Sequence, residues 1–581
     1  MAEPIPASLV QMVNEGRYDQ ASAILARLQR KQPNDGPTNN SYAVVLAKLG
    51  KFAQAEFFSR KAVAAAPRDA VNRETLSHIL ATLEKFGEAI PEYRKAVELD
   101  PGNPAYHLGL ANMLWDQGQL FESLESMRSA MRIAPGNPGL TAVYVSLLQN
   151  VGELKEAERL AREALERFPM DRQLLQVLLL TLNYVPGADP AEVVSLHRRF
   201  GAAVLAEVPP HQVRTHPRLR PSGRKLRVGY ISPDLRQHSV TYFLEPVLAA
   251  HDRANFEVFA YFTAKPADAT TARLKQLPIT WRDLSGDDEQ MAAAVAADNL
   301  DVLIELTGLT TANRLGVMAR KPARVQATYI GYPNTTGVPQ VDFRIVDAVT
   351  DPEGTDGFAV ERLARLPGCF LCYRPVDGAP DVAPPPSASG EPITFGSFNN
   401  SAKLTEPVVR LWTKLLDAVP GSRLVIKSQQ FKCEWLRRAY QDRFAAAGAG
   451  LERVEVLGPV KDKGGHLGAY QRIDIGLDPF PYNGTTTTCE AMSMGVPIVT
   501  LMGRVHAGRV GASLLTAAGV PELIARDEAD YVRIAADLAR DAARLWELRT
   551  TLRERVRTGL CDAARFTRGL ETAYAKMISG A

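Results

Sequence analysis

The sequence predicts an α + α/β chain: a helical solenoid followed by two parallel-sheet halves. Three observations predict it. Five prolines, Pro33, Pro67, Pro101, Pro135 and Pro169, stand 34 residues apart without a slip, a period that belongs to stacked helix hairpins. After about residue 220 the period stops, and apolar β-branched runs begin to alternate with helical segments, as in a parallel sheet with crossover helices. The stretch 382–392, which contains Pro384-Pro385-Pro386, then interrupts that alternation and divides it into two sets.

The repeats come first. Gly16, Gly50, Gly118 and Gly152 share one register, broken only by Glu84, and Tyr18, Phe52, Phe86, Leu120 and Leu154 follow two residues later. Small residues come next, at Ala21, Ala55, Ala89, Ser123 and Ala157, and Ala62, Ala96, Ala130 and Ala164 precede their prolines by five. Small residues let paired helices approach, an aromatic or Leu fills the gap, and proline stops the second helix. The period and these markers predict a tetratricopeptide solenoid over 1–183. Such an array binds and does not catalyse. Recognition of partner or acceptor proteins on its concave face is the leading expectation, and capping or dimerising the neighbouring domain is the other.

Helical patterns at 172–183 and 191–206 lead through a helical linker, 184–220, into the Pro- and Arg-rich stretch 209–224. Strands are expected at 226–232, 256–263, 301–307, 325–332 and 343–349 in a first lobe, 221–383. After the Pro-rich linker, 384–392, the second lobe spans 393–545, with strands at 393–398, 423–427, 454–457, 473–477 and 497–501. A helical segment, 546–581, ends the chain. Two doubly wound halves place a cleft between their strand ends, where ligands of open α/β sheets bind. The lack of a GxGxxG fingerprint and of a Walker loop argues against NAD enzymes and P-loop nucleotidases.

Composition narrows the classes further. The chain of 581 residues carries a formal charge of only +3 and has no basic stripe with interleaved aromatics, so nucleic acid is not an expected partner. No run of 18 apolar residues and no signal-like start occur, so no membrane partner is expected either. Five cysteines, an odd number, suit a reducing compartment, and the expectation is a cytoplasmic protein. Cys369 and Cys372 form a CxxC without a second pair or nearby histidines, which favours buried thiols over zinc or redox work.

Several loops could carry chemistry. Four threonines, Thr485 to Thr488, follow the Asn483-Gly484 turn and open a helix, a ready phosphate site at unpaired N–H groups. Thr487 with Glu490 three residues on also fits a capping box, and both readings can hold. Lys403 leaves the first strand of the second lobe, where it could neutralise a diphosphate or be a solvated surface lysine. His466 could stack on a base or be a loop histidine. His238, after the opening strand of the first lobe, could orient or deprotonate an acceptor hydroxyl. The loop Gly331-Tyr332-Pro333-Asn334-Thr335-Thr336-Gly337 allows close backbone approach to a ligand, or a tight turn.

Together, the segments around His238, Tyr332 to Gly337, Phe398-Asn399-Asn400-Ser401-Ala402-Lys403, Asp478 to Glu490 and Val505-His506 resemble the protein O-glycosyltransferase family of O-GlcNAc transferases and their SPINDLY relatives. The resemblance runs over most of the chain, repeats included. It implies two Rossmann-like lobes of GT-B type, a metal-independent inverting transfer to Ser or Thr, and acceptor proteins delivered by the repeats. It gives Lys403 contact with the donor diphosphate, supported by Thr486 and Thr487, stacks His466 on the base, and sets Glu490 on the ribose hydroxyls. His238 matches a histidine near sugar and acceptor. The candidate set is catalytic His238 and Lys403, with Pro333, Asn334, Asn400, Lys461, Lys463, His466, Gly484, Thr485, Thr486, Thr487 and Glu490 binding the nucleotide sugar, and no metal or other cofactor.

The donor follows less directly. Animal O-GlcNAc transferases carry His-Thr-Thr where this chain has Thr485-Thr486-Thr487, and a large domain between the lobes where this chain has only the Pro-rich linker. At both points it looks more like SPINDLY, whose relatives can use GDP-fucose. UDP-GlcNAc is the expected donor, with O-fucosyl transfer from GDP-fucose or a non-catalytic nucleotide-sugar-binding scaffold as the alternatives.

Overall fold

The computed structural model describes residues 6–216, 223–460 and 463–580 and separates into two compact units, 1–147 and 148–581. In the first, helices pair as α1 (Ala7–Asn14) with α2 (Tyr18–Lys31), α3 (Gly36–Lys48) with α4 (Phe52–Ala65), α5 (Ala70–Thr82) with α6 (Phe86–Leu99), and α7 (Pro104–Asp116) with α8 (Leu120–Ile133). Every second helix therefore begins at a marker residue, 34 positions after the last. The turn before it needs a left-handed residue: Gly16, Gly50 and Gly118 have φ of +73°, +74° and +74°, and Glu84 adopts the same region at +59°. Glycine tolerates this region freely, whereas glutamate is strained in it. Ala21, Ala55, Ala89 and Ser123 have no exposed surface, as close helix contact requires.

A signal the period markers do not include fixes the first helices. Two residues after each repeat proline stands an Asp or Asn whose side chain accepts a first-turn N–H: Asp35 from Thr38, Asp69 from Val71, Asn103 from Ala105 and Asn137 from Leu140. One short segment, Pro-x-Asp/Asn, thus ends one helix and caps the next.

The second unit takes in the end of α9 (Pro138–Val151), then α10 (Leu154–Arg167), α11 (Arg172–Leu182) and α12 (Pro190–Ala206). Helix α12 lies in the expected linker and is tightly packed: a Cβ on Gly201 would fall 1.8 Å from the Gly337 carbonyl oxygen, and His197 pairs with the Tyr332 hydroxyl at 3.0 Å.

The first lobe runs β1 (Leu226–Ser232), α13 (Ser239–Ala250), β2 (Phe256–Phe262), α14 (Ala269–Leu274), β3 (Thr280–Asp283), α15 (Asp288–Ala297), β4 (Val302–Glu305), α16 (Leu315–Ala319), β5 (Val325–Thr328), β6 (Phe343–Asp347) and β7 (Arg362–Leu366). Its strands lie in the order β3-β2-β1-β4-β5-β6-β7, all pairs parallel. The second lobe runs β8 (Thr394–Ser397), α17 (Glu406–Ala418), β9 (Arg423–Lys427), α18 (Glu434–Ala446), β10 (Val454–Leu457), α19 (Lys463–Gly468), β11 (Ile475–Leu477), α20 (Thr486–Ser493), β12 (Ile498–Leu501), α21 (Val510–Ala517), β13 (Ile524–Ala525) and α22 (Glu528–Arg540). Its order is β10-β9-β8-β11-β12-β13, again parallel. The expected two-lobed fold is borne out.

The strands that sequence reading misses are β3, β7 and β13, all at sheet edges. An edge strand buries one side only and often carries charge, so Thr-Trp-Arg-Asp and Arg-Leu-Ala-Arg-Leu show no apolar run. Two last helices, α23 (Ala542–Leu560) and α24 (Ala563–Ser579), carry the chain back to the first lobe. There Glu571 of α24 accepts from His251 at 2.8 Å, and the Tyr574 and Tyr230 hydroxyls meet at 3.0 Å.

In each sheet the strand order reverses direction once, between β1 and β4 and between β8 and β11. Doubly wound sheets bind ligands beyond the strand ends at such points. The loops leaving β1, β8 and β11 are those that carry His238, Lys403 and the threonine run.

Candidate functional site

Lys403 is fixed by the loop that leaves β8. Asn400 accepts the Ala402 N–H at 2.9 Å, capping a single turn that ends at the lysine. The ammonium then donates to the Asn483 carbonyl at 2.6 Å and lies 4.0 Å from the centroid of the Tyr482 ring. Burial draws Lys403 down to about 8, against the attraction of Asp478. Asp478 is itself pushed up to about 6 by burial, opposed by its bonds from Thr500 at 2.7 Å and the Gly484 N–H at 2.6 Å and by Lys403. A poorly solvated cation with one carbonyl partner attracts an incoming anion strongly.

The threonine run gives the second part of the anion site. Helix α20 starts at Thr486, and no side chain caps it. The expected capping box is therefore absent. Thr487 already lies inside the helix, where its hydroxyl donates to Asn399 at 3.0 Å, and Glu490 is turned to His466. The first-turn N–H groups, which have no intrahelical acceptor, remain without a side-chain cap. Gly484 leaves little room beneath them: a Cβ there would lie 2.7 Å from the Thr487 and Thr488 hydroxyls.

A cavity of about 270 Å³ between the lobes is lined by His238, Pro333, Asn400, Lys403, Thr485, Thr486 and Thr487, together with Arg344, Tyr482 and His506. Seven of the sequence-derived candidates thus share one wall system. Asn334 faces an adjoining cavity of about 420 Å³ instead, where its amide donates to Asn183 at 3.3 Å. Lys461 and the side chain of Lys463 lie outside the described residues.

His466 and Glu490 form a separate cluster one helical turn along α20. The Lys427 ammonium donates to His466 Nδ1 at 2.6 Å, His466 Nε2 donates to Glu490 at 3.1 Å, and the Tyr470 hydroxyl donates to Glu490 at 3.4 Å. Burial draws Lys427 down to about 8, with Glu490 opposing. Sequence reading misses Lys427, although a lysine closing the buried strand Arg-Leu-Val-Ile-Lys is a visible signal.

The cavity carries two histidines with opposite hydrogen-bonding roles. His238 caps α13, its Nδ1 accepting the Val240 N–H at 3.3 Å, with Asp234 farther off at 3.7 Å. Burial lowers its basicity, helped by Arg236 and resisted by Asp234. His506 instead donates from Nδ1 to Asp351 at 2.5 Å, with the Phe370 ring packed edge-on against it at 4.9 Å. Burial and Arg344 lower its basicity, with Asp351 and Asp347 acting the other way. Neither Arg344 nor Asp351 carries a recognisable motif, and the histidine that Asp351 meets lies 155 residues away.

Burial pushes Cys369 and Cys372 up to about 12, as for packed thiols, and the Cys369 sulfur accepts from Ser513 at 3.2 Å. Among the described residues no group of three or more His, Cys, Asp or Glu could hold a metal ion, and no helix is long and apolar enough to cross a membrane.

Comparison with known proteins gives concordant matches. The model of glycosyl transferase family 41 matches residues 203–374 and 387–570, and a tetratricopeptide repeat model matches 75–138. A rice protein (Oryza sativa subsp. japonica) described as a probable UDP-N-acetylglucosamine–peptide N-acetylglucosaminyltransferase SPINDLY is 45% identical over 415 residues, covering 70% of this chain and 45% of its own length. The UDP-N-acetylglucosamine–peptide N-acetylglucosaminyltransferase of Caenorhabditis elegans is 25% identical over 475 residues, covering 61% and 41%. A mutant O-GlcNAc transferase from Thermobaculum terrenum superposes with a TM-score of 0.74 at 31% identity, over 94% of this chain and 97% of that one. The chain spans about half the length of the curated relatives it matches.

Proposed function

The chain belongs to glycosyl transferase family 41, and we propose that it is an inverting protein O-glycosyltransferase that moves GlcNAc from UDP-GlcNAc to Ser or Thr hydroxyls. The observation that carries this is the pairing of Lys403 with the uncapped start of α20 on one cavity wall. In this mechanism the hydroxyl attacks the anomeric carbon from the face opposite the nucleotide. Charge grows on the departing diphosphate, where Lys403 and the α20 N–H groups stabilise it. The transfer is then metal-independent, because these groups meet the leaving-group charge. The printed names of the relatives support UDP-GlcNAc as donor, and Thr485 in place of the animal histidine keeps GDP-fucose as the second reading. The repeats, as protein-binding helix pairs, present the acceptor. Free thiols throughout the described residues suit a cytoplasmic location.

Incubation of the protein with a cell lysate and radiolabelled UDP-GlcNAc or GDP-fucose tests this reading. Label on protein from UDP-GlcNAc is expected. Label from GDP-fucose alone would replace the donor, and label from neither would leave a nucleotide-sugar-binding scaffold.

A further inference from the structure

An attacking hydroxyl must lose its proton, and of the two histidines on the cavity wall one keeps a ring lone pair free of hydrogen bonds. His238 commits its Nδ1 lone pair to the Val240 N–H, so its neutral ring carries hydrogen on Nε2 and acts as a donor. His506 is the reverse. Its Nδ1–H donates to Asp351, which leaves the lone pair on Nε2, and among the described residues nothing hydrogen-bonds that atom. An imidazole with one nitrogen held by a carboxylate and the other open is the arrangement a general base requires.

The surroundings support the assignment. Arg344 stands 3.5 Å from Asp351, and against the upward pull of burial His506 and Arg344 hold that carboxylate ionised, able to stabilise an imidazolium. Asp347 is the other acid that acts on His506. The histidine lines both cavities, the smaller with Lys403 and the larger beside it. Its neighbour Ala507 is tied to the lysine through one residue: the Asn483 N–H donates to the Ala507 carbonyl at 2.9 Å, while the Asn483 carbonyl accepts from Lys403.

We propose that His506 is the general base of the transfer and Asp351 its positioning residue, an inference that rests on the O-glycosyltransferase reading above. As the bond from the acceptor oxygen to the anomeric carbon forms, the O–H bond breaks and its proton passes to His506 Nε2. The bond from that carbon to the diphosphate oxygen breaks, and its electron pair leaves with the diphosphate.

Transfer and nucleotide binding, measured on the full chain for wild type, His506→Gln, His506→Ala, Asp351→Asn and His238→Gln, test it. His506→Gln is expected to lose at least ~10²-fold in kcat, within the range of a general base, while calorimetric binding of UDP or GDP stays within about threefold. Added imidazole should restore part of the His506→Ala rate. Asp351→Asn should move the acid limb of kcat/KM to lower pH, because the imidazolium loses its counter-charge. His238→Gln, which keeps an N–H donor, should lose less than His506→Gln. A His506→Gln enzyme within threefold of wild type overturns the assignment alone, as does a loss of nucleotide binding that matches the loss of transfer. Wild type inactive with both donors overturns the functional reading, and this step with it.

Discussion

The repeats and the α/β unit are stabilised over different lengths of chain. In the repeats the bonds that matter are local: Asp69 accepts a helix N–H two residues on, and Ser77 donates to Ala89, 12 residues away. In the α/β unit the cavity wall is assembled from far apart, with Lys403 meeting Asn483 across 80 residues and His506 meeting Asp351 across 155. A substitution in a repeat therefore changes the stability of its neighbourhood. One in the α/β unit removes a group that nothing nearby can replace. Variants of the two regions should therefore separate cleanly into losses of rate and changes of stability.

The largest effect belongs to Lys403→Ala. Removing the desolvated cation beside the leaving group is expected to lower kcat by at least ~10²-fold, as loss of a main electrostatic stabiliser does. The thermal transition of the repeats should be unmoved. Near-normal turnover in this variant would take Lys403 out of the mechanism.

A smaller effect comes from titrating the same residue. Free Lys403 is held at about 8, so it is charged below that pH and neutral above it. A bound diphosphate favours the charged form, and binding must then take up a proton as pH rises through 8. UDP should bind about tenfold more weakly at pH 9 than at pH 7, with proton uptake visible as a dependence of calorimetric enthalpy on buffer. Lys427, also held at about 8, adds to this if the nucleotide reaches it, so the part lost in Lys403→Ala is the measure of Lys403. Binding that is flat from pH 7 to 9 would mean that Lys403 does not meet the phosphates.

The same contrast explains what the sequence discloses. The 34-residue period is a local rule written several times, and it marks the first residues of α2, α4, α6 and α8 without error. The Pro-x-Asp/Asn caps were equally visible. Central strands show as apolar runs because both faces are buried, whereas β3, β7 and β13 are edges and do not. Within the cavity, Lys403 sits on the loop after β8 and Thr485 to Thr487 form the start of the helix that follows β11, so both can be found from position alone. Asp351 cannot, because its meaning lies in a bond to His506 that only folding makes, and neither can Arg344, which stands beside that carboxylate. The capping box fails for a related reason: helix α20 begins two residues earlier than the pattern implies, and Glu490 finds a better partner in His466.

The smallest effect is a gain. Glu84 occupies the left-handed turn position that Gly16, Gly50 and Gly118 fill in the other described repeats of the first unit, at φ +59°. Its side chain is exposed, so substitution sacrifices no packing. Glu84→Gly removes the strain of an L-residue in that region but frees the unfolded chain somewhat, and the balance is a stabilisation of roughly 0.5–1 kcal/mol. The reverse change, Gly50→Ala, meets no atom within 4 Å, so its cost should be backbone strain alone, about 1 kcal/mol. Denaturant unfolding followed through the helical signal should move in opposite directions for the two variants, while sugar transfer at saturating acceptor stays at the wild-type rate. Equal destabilisation by both would mean that Glu84 is held by contacts beyond its turn, and the repeats would then be less local than their period implies.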